Sequence, residues 1–116
     1  MEIERVVSML SALAQDTRLK VFRELVKACE PGCGSDGGGL PAGELAERLN
    51  VSASSLSFHL KEMQWNDLVS SRKEGRSVIY TANLSAMQSL MAYLLEDCCA
   101  GACGVADWLK LSEELV

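Results

Sequence analysis

The chain has 116 residues, 48% of them hydrophobic and 23% charged, which suits one domain with a sizeable core and leaves no room for a catalytic domain joined to a regulatory one. No run approaches the ~20 apolar residues of a membrane span, and Glu2 and Glu4 stand where a secretory signal would be basic, so a cytoplasmic protein without membrane contact is expected. The net charge of −5 argues at first against a polyanionic partner, yet Ser52 to Tyr80 holds four basic residues (Lys61, Arg72, Lys73, Arg76) against three acidic ones (Glu62, Asp67, Glu74), leaving a basic face possible on an acidic body.

Taken in chain order, Ile3, Val6, Leu10 and Leu13 recur at steps of three and four and predict an amphipathic helix. A second helix follows, with Asp16 or Thr17 as cap and Leu19, Phe22, Leu25 and Val26 as its apolar residues, until Cys29 and the stop Glu30-Pro31-Gly32. Five glycines between Pro31 and Pro41 predict a flexible loop that positions nothing by itself. From Pro41 a short helix carries Leu45 and Leu49, Asn50-Val51 makes a turn, and Ser52 caps a helix through Leu56, Leu60 and Met63, spanning about residues 52–64. Two short strands, SSR and SVIYT, joined by Lys73-Glu74-Gly75-Arg76, then form a basic hairpin within about 68–81. Asn83 or Ser85 starts a last long helix with Leu84, Met87, Leu90, Met91, Leu94 and Leu95, an apolar stripe too rich for the surface of a monomer. The expected fold is a single domain over 1–116, mainly α with a β-hairpin wing, that is, a winged helix-turn-helix.

A helix that enters a major groove needs short side chains so that its backbone approaches base edges, with hydroxyls and cations to bond those edges and the flanking phosphates. At about 100° per residue, Leu56, Leu60 and Met63 share a narrow arc, while Ser54, Ser57, Phe58 and Lys61 point the opposite way. Ser54, Ser55, Ser57, His59 and Lys61 supply the chemistry for double-stranded DNA, and Arg72, Lys73 and Arg76 of the wing can neutralise phosphate. His59 sits at the border of the buried stripe, where a structural role and a base or phosphate contact are both open.

The five cysteines, at 29, 33, 98, 99 and 103, are an odd number and fit a reducing compartment better than a disulfide framework. Cys98, Cys99 and Cys103 lie within six residues around the small-residue segment Ala100-Gly101-Ala102, so three thiols can converge. Zn²⁺ usually takes four ligands, and the only histidine is His59 in the DNA-reading helix. Trivalent arsenic or antimony is satisfied by a pyramid of three soft sulfurs. Glu96, Asp97 and a helix C-terminus disfavour thiolate. A cation must displace thiol protons, whereas neutral arsenous acid exchanges each hydroxyl for a thiol with loss of water. As(III) is therefore the expected ligand of Cys98, Cys99 and Cys103, with Sb(III), a trivalent methylated arsenical or a soft cation left open as alternatives. Cys29 and Cys33 read as a buried apolar residue and an exposed thiol, with a reversible disulfide or a second soft-metal site as alternatives.

The stretches ALAQDTRLKVFRELV, LPAGELAERLNVSASSLSFHLKEM and KEGRSVIY resemble the ArsR/SmtB family of winged helix-turn-helix metalloregulators over roughly residues 5 to 103. The resemblance implies a homodimeric repressor, paired through its first and last long helices, that leaves operator DNA when a metal or metalloid binds. LLEDCC resembles the end of arsenic-responsive repressors with a C-terminal three-cysteine site, which places dimer helix and sensor at about 84–103. Two features depart from the family pattern: AGELAERL carries no cysteine pair, and the usual glycine before Leu68-Val69 is Asp67. A thiol redox-sensing winged-helix regulator is the rival within this fold. A small thiol oxidoreductase is the rival among enzymes, but it needs an activated thiolate that the acidic surroundings oppose, and a non-enzyme is expected.

Overall fold

The computed structural model describes residues 2–29 and 38–96. Its elements are α1 (Ile3–Leu13), α2 (Asp16–Lys27), β1 (Leu40–Pro41), α3 (Ala42–Leu49), α4 (Ala53–Trp65), β2 (Val69–Glu74), β3 (Ser77–Ala82) and α5 (Leu84–Leu94). Apolar residues at helical spacing draw the helices around one core. Val21 and Leu25 of α2, Leu45 of α3, and Leu56, Leu60 and Met63 of α4 are at most 1% exposed, and Leu68 and Val69 carry the core into the sheet. Each such side chain contributes about 1.5–3 kcal/mol relative to remaining in water.

Side-chain caps begin three of the helices. Ser52 Oγ accepts from the Ser55 amide at 3.2 Å and starts α4, and Asn83 Oδ1 accepts from the Ala86 amide at 3.1 Å and starts α5. The cap of α2 is Gln15, whose Oε1 accepts from the Arg18 amide at 2.9 Å. Asp16, expected as a cap together with Thr17, is instead the first helical residue, where its carboxylate meets the positive end of the helix dipole. Asn50, at φ 54°, closes α3 in the left-handed conformation that the tight turn into α4 requires.

The sheet is antiparallel in the order β1-β3-β2, with Leu40 opposite Tyr80 and Val69 opposite Ala82. β1 was not expected, since two residues give no alternation to read. Glu74 pairs with Ser77, so the hairpin loop is only Gly75-Arg76 and Lys73 belongs to β2. Gly75 takes φ 60°, which a two-residue hairpin turn demands of its first residue. The glycine-rich loop also departs from expectation at its described end. Gly39 has φ 95°, its amide donates to Ala28 O at 3.0 Å, and a Cβ there would lie 2.5 Å from Tyr80 O. Gly39 therefore locks the chain against β3, and its neighbour Gly38 offers a carbonyl to Arg72.

The outer helices divide their apolar residues between core and surface. On α1, Val6, Met9 and Ala12 are buried, while Ile3, Val7 and Leu10 are 60%, 54% and 40% exposed. On α5 only Leu90 is buried, and Leu94 and the C-cap residue Leu95 are exposed. Val6 and Leu90 are therefore withdrawn from the stripes available to a partner, and Val7 joins them. Among the described residues, no helix is long and apolar enough to cross a membrane.

Candidate nucleic-acid interface

α3, the Asn50 turn and α4 form the helix-turn-helix, and the β2–β3 hairpin stands beside it as the wing. The buried face of α4 is made by Leu56, Leu60 and Met63, which turns Ser54, Ser55, Ser57 and Lys61 outward, all exposed. Short hydroxyl side chains thus cover the N-terminal half of a helix anchored firmly from behind, with the exposed Phe58 ring among them and the Lys61 ammonium one turn further on. Such a face would let the backbone come near base edges and place an ammonium within reach of phosphate. Gln64 Nε2 donates to Ser71 Oγ at 2.9 Å, tying the end of α4 to the wing.

His59 is half-buried and points to the side. Arg18 Nε donates to its Nδ1 at 3.1 Å, which leaves the proton of the neutral ring on Nε2. Burial, and secondarily the Arg18 guanidinium, push the His59 pKa below its ordinary value, so the uncharged ring is the favoured form. Arg18 Nη1 also donates to Ala12 O at 3.4 Å, and its guanidinium lies 5.9 Å from the centroid of Phe58. One side chain of α2 therefore joins the end of α1 to the middle of α4. Sequence periodicity gave no sign of this role, because Arg18 stands 41 positions from His59.

The three wing cations are placed differently. Lys73 and Arg76 are exposed, Lys73 on β2 and Arg76 at the hairpin tip. Arg72 turns inward, donating through Nη2 to Gly38 O at 3.0 Å and through Nε to Glu74 Oε1 at 3.1 Å. Two of its three guanidinium nitrogens are bonded within the chain, while Nη1 is buried without a hydrogen-bond partner among the described residues; a basic hairpin sequence does not disclose this inward placement. At the wing entry Asp67, where the resemblance led glycine to be expected, adopts φ 59°, and its carboxylate pairs with Arg5 of α1. Asp67 thus holds a left-handed turn that aspartate tolerates better than most side chains and makes an ion pair to the first helix.

Cys33, Cys98, Cys99 and Cys103 lie outside the described residues. Cys29, buried at the end of α2 with Sγ 3.2 Å from Leu25 O, is disulfide-bonded. It is the only cysteine among the described residues. No group of three His, Cys, Asp or Glu side chains suited to a metal occurs among the described residues.

Residues 13–72 match a family of helix-turn-helix domains. Among curated proteins the chain is similar to the transcriptional repressor SdpR of Bacillus subtilis, 27% identical over 76% of this chain and 87% of the relative. It is also similar to the transcriptional activator HlyU of Vibrio cholerae, 31% identical over 78% of this chain and 74% of the relative. The solved structure of HlyU superposes with a TM-score of 0.62, covering 85% of this chain and 99% of that one. An ArsR-like transcriptional regulator from Rhodococcus sp. RHA1, 28% identical, superposes with a TM-score of 0.67 over 97% of this chain and 90% of its own.

Proposed function

The chain belongs to the helix-turn-helix domain family, among relatives that are transcriptional regulators, and on that premise we propose that it is a homodimeric repressor that releases operator DNA when trivalent arsenic binds Cys98, Cys99 and Cys103. The observation that carries the DNA-binding part is the outer face of α4, where exposed Ser54, Ser55, Ser57 and Lys61 are backed by a fully buried apolar stripe and flanked by the exposed Lys73 and Arg76 of the wing. Repression in place of activation rests on the resemblance to ArsR/SmtB regulators, since the relatives include one of each kind. The exposed residues Ile3, Val7 and Leu10 of α1 and Leu94 of α5 support the dimer, because a second copy would take them from water. Support for the inducer is the chemistry of three thiols within six residues of sequence.

The test is fluorescence anisotropy of the reduced protein on a duplex selected from a random library, titrated with As(III), Sb(III) and Zn²⁺. A coupling of about 1–3 kcal/mol per site weakens binding roughly 5- to 150-fold. Release by As(III) that is abolished in Cys98→Ser, Cys99→Ser and Cys103→Ser and kept in Cys29→Ser is the expected pattern. Loss of the response in Cys29→Ser alone would put the sensor at the other end of the chain.

A second reading is a thiol redox regulator, and the disulfide at Cys29 favours it. Under this reading, oxidation and dithiothreitol switch DNA affinity without any metalloid, and Cys29→Ser removes the switch.

A further inference from the structure

Phe58 stands out on the polar face of α4. It is 58% exposed and lies opposite the buried stripe of Leu56, Leu60 and Met63, among Ser54, Ser55, Ser57 and Lys61. Singly exposed apolar residues are ordinary on protein surfaces, but this ring is held in place. Its centroid is 5.8 Å from that of His59 at an interplanar angle of 67°, and the Arg18 guanidinium lies 5.9 Å from it. Arg18 is fixed in turn by His59 Nδ1 and Ala12 O. The cluster supports the ring from one side and leaves the rest of it facing whatever α4 meets. Because the neighbouring serines are short, the ring is the tallest apolar feature in the first half of that face; Trp65, 85% exposed, lies two turns further along, beside Glu4, Arg5 and Ser8 of α1.

On the proposed DNA-binding reading, what α4 meets is a major groove, and the one apolar group that a base displays there is the C5-methyl of thymine. We propose that Phe58 is a base-reading residue that packs against a thymine methyl in each half-site, with Arg18 and His59 as positioning residues for its ring. The serines and Lys61 then bond base edges and phosphate around a dry contact. Hydroxyls of serine accept and donate with every base, so this contact gives the recognition helix a preference that its hydroxyls alone do not supply. An apolar protein partner is less well served, since the ring is surrounded by hydroxyls and an ammonium.

The experiment uses the full reduced chain and duplexes selected by it from a random library, with each thymine in turn replaced by deoxyuridine, which removes only the methyl. Burial of one methyl-sized group corresponds to about a fourfold change in affinity. The expected result is a loss of about that size at one position of each half-site and none elsewhere. Phe58→Ala should bind the thymine and deoxyuridine duplexes equally at that position, and Phe58→Leu should retain part of the discrimination. Uniform affinity of the wild-type chain for every deoxyuridine duplex overturns the assignment while leaving DNA binding intact, and so does an unchanged thymine preference in Phe58→Ala. Failure of the wild-type chain to select any duplex overturns the DNA-binding reading itself, and the thymine contact with it.

Discussion

His59 and Arg72 show how far a side chain's role depends on what lies behind it. His59 accepts a hydrogen bond from Arg18 Nε at Nδ1, and protonation would remove the acceptor and set two cations side by side. The other charged group near this junction is Glu62, which lines a notch with Arg18 and Asn66 and opposes such a charge only in part. With the folded-state pKa lowered below about 6.5, the unfolded chain binds the proton more readily. The stabilisation is therefore complete above about 6.5 and is lost as the pH falls through the folded value. The melting temperature of the wild type should drop more than that of His59→Gln between pH 7.5 and 5.5. Parallel curves would show that the ring is not held neutral. Arg72 and Arg76 should separate in a salt titration of DNA binding. Arg76→Ala and Lys73→Ala each lower the slope by about one phosphate contact. Arg72→Ala leaves the slope unchanged and costs about 1 kcal/mol of stability through the lost bond to Gly38 O. An equal change of slope in all three variants would return Arg72 to the phosphate-contacting set.

At the scale of elements, the helices with a strong apolar period were legible in the sequence, and so were the caps at Ser52 and Asn83, because a short polar residue before a periodic run has a local cause. The register of the wing was less legible. The four-residue link read from Lys73 to Arg76 shrank to two because backbone pairing continues through Glu74 and Ser77. The role of the glycines was hidden for another reason: a run rich in glycine looks the same whether it swings freely or fits where no Cβ can. Gly39 and Gly75 provide the contrast. At Gly75 a Cβ meets nothing within 4 Å, so Gly75→Ala costs only the strain of its positive φ, about 1–2 kcal/mol. At Gly39 the same strain adds to approaches of 2.5 Å to Tyr80 O and 2.7 Å to Thr81 Cγ2. Urea denaturation should rank Gly39→Ala as the more destabilised of the two, and the reverse order would contradict the packing of β1 on β3.

For the whole molecule, the sequence pointed to dimer faces on the first and last long helices, and the fold sharpens which residues belong to them. A stripe with steps of three and four cannot tell a protomer's own core from a partner's, so Val6 and Leu90 read as available until the core was seen to cover them. Ile3, Val7, Leu10 and Leu94 remain for a partner, and α1 is tied to the wing entry by the Arg5–Asp67 ion pair and to α4 through Arg18. A shift of α1 would thus reach the wing entry through Arg5–Asp67, and α4 through Arg18 and through the hydrogen bond from Ser8 to the cap residue Asn66. The central claim, that two copies of α4 are presented together to DNA, is tested most directly by hydroxyl-radical footprinting of the reduced protein on its selected duplex. Two symmetry-related protected half-sites with centres about 34 Å apart, in an inverted repeat, are predicted. A single unsymmetrical protected site, or protection independent of sequence, would contradict the account.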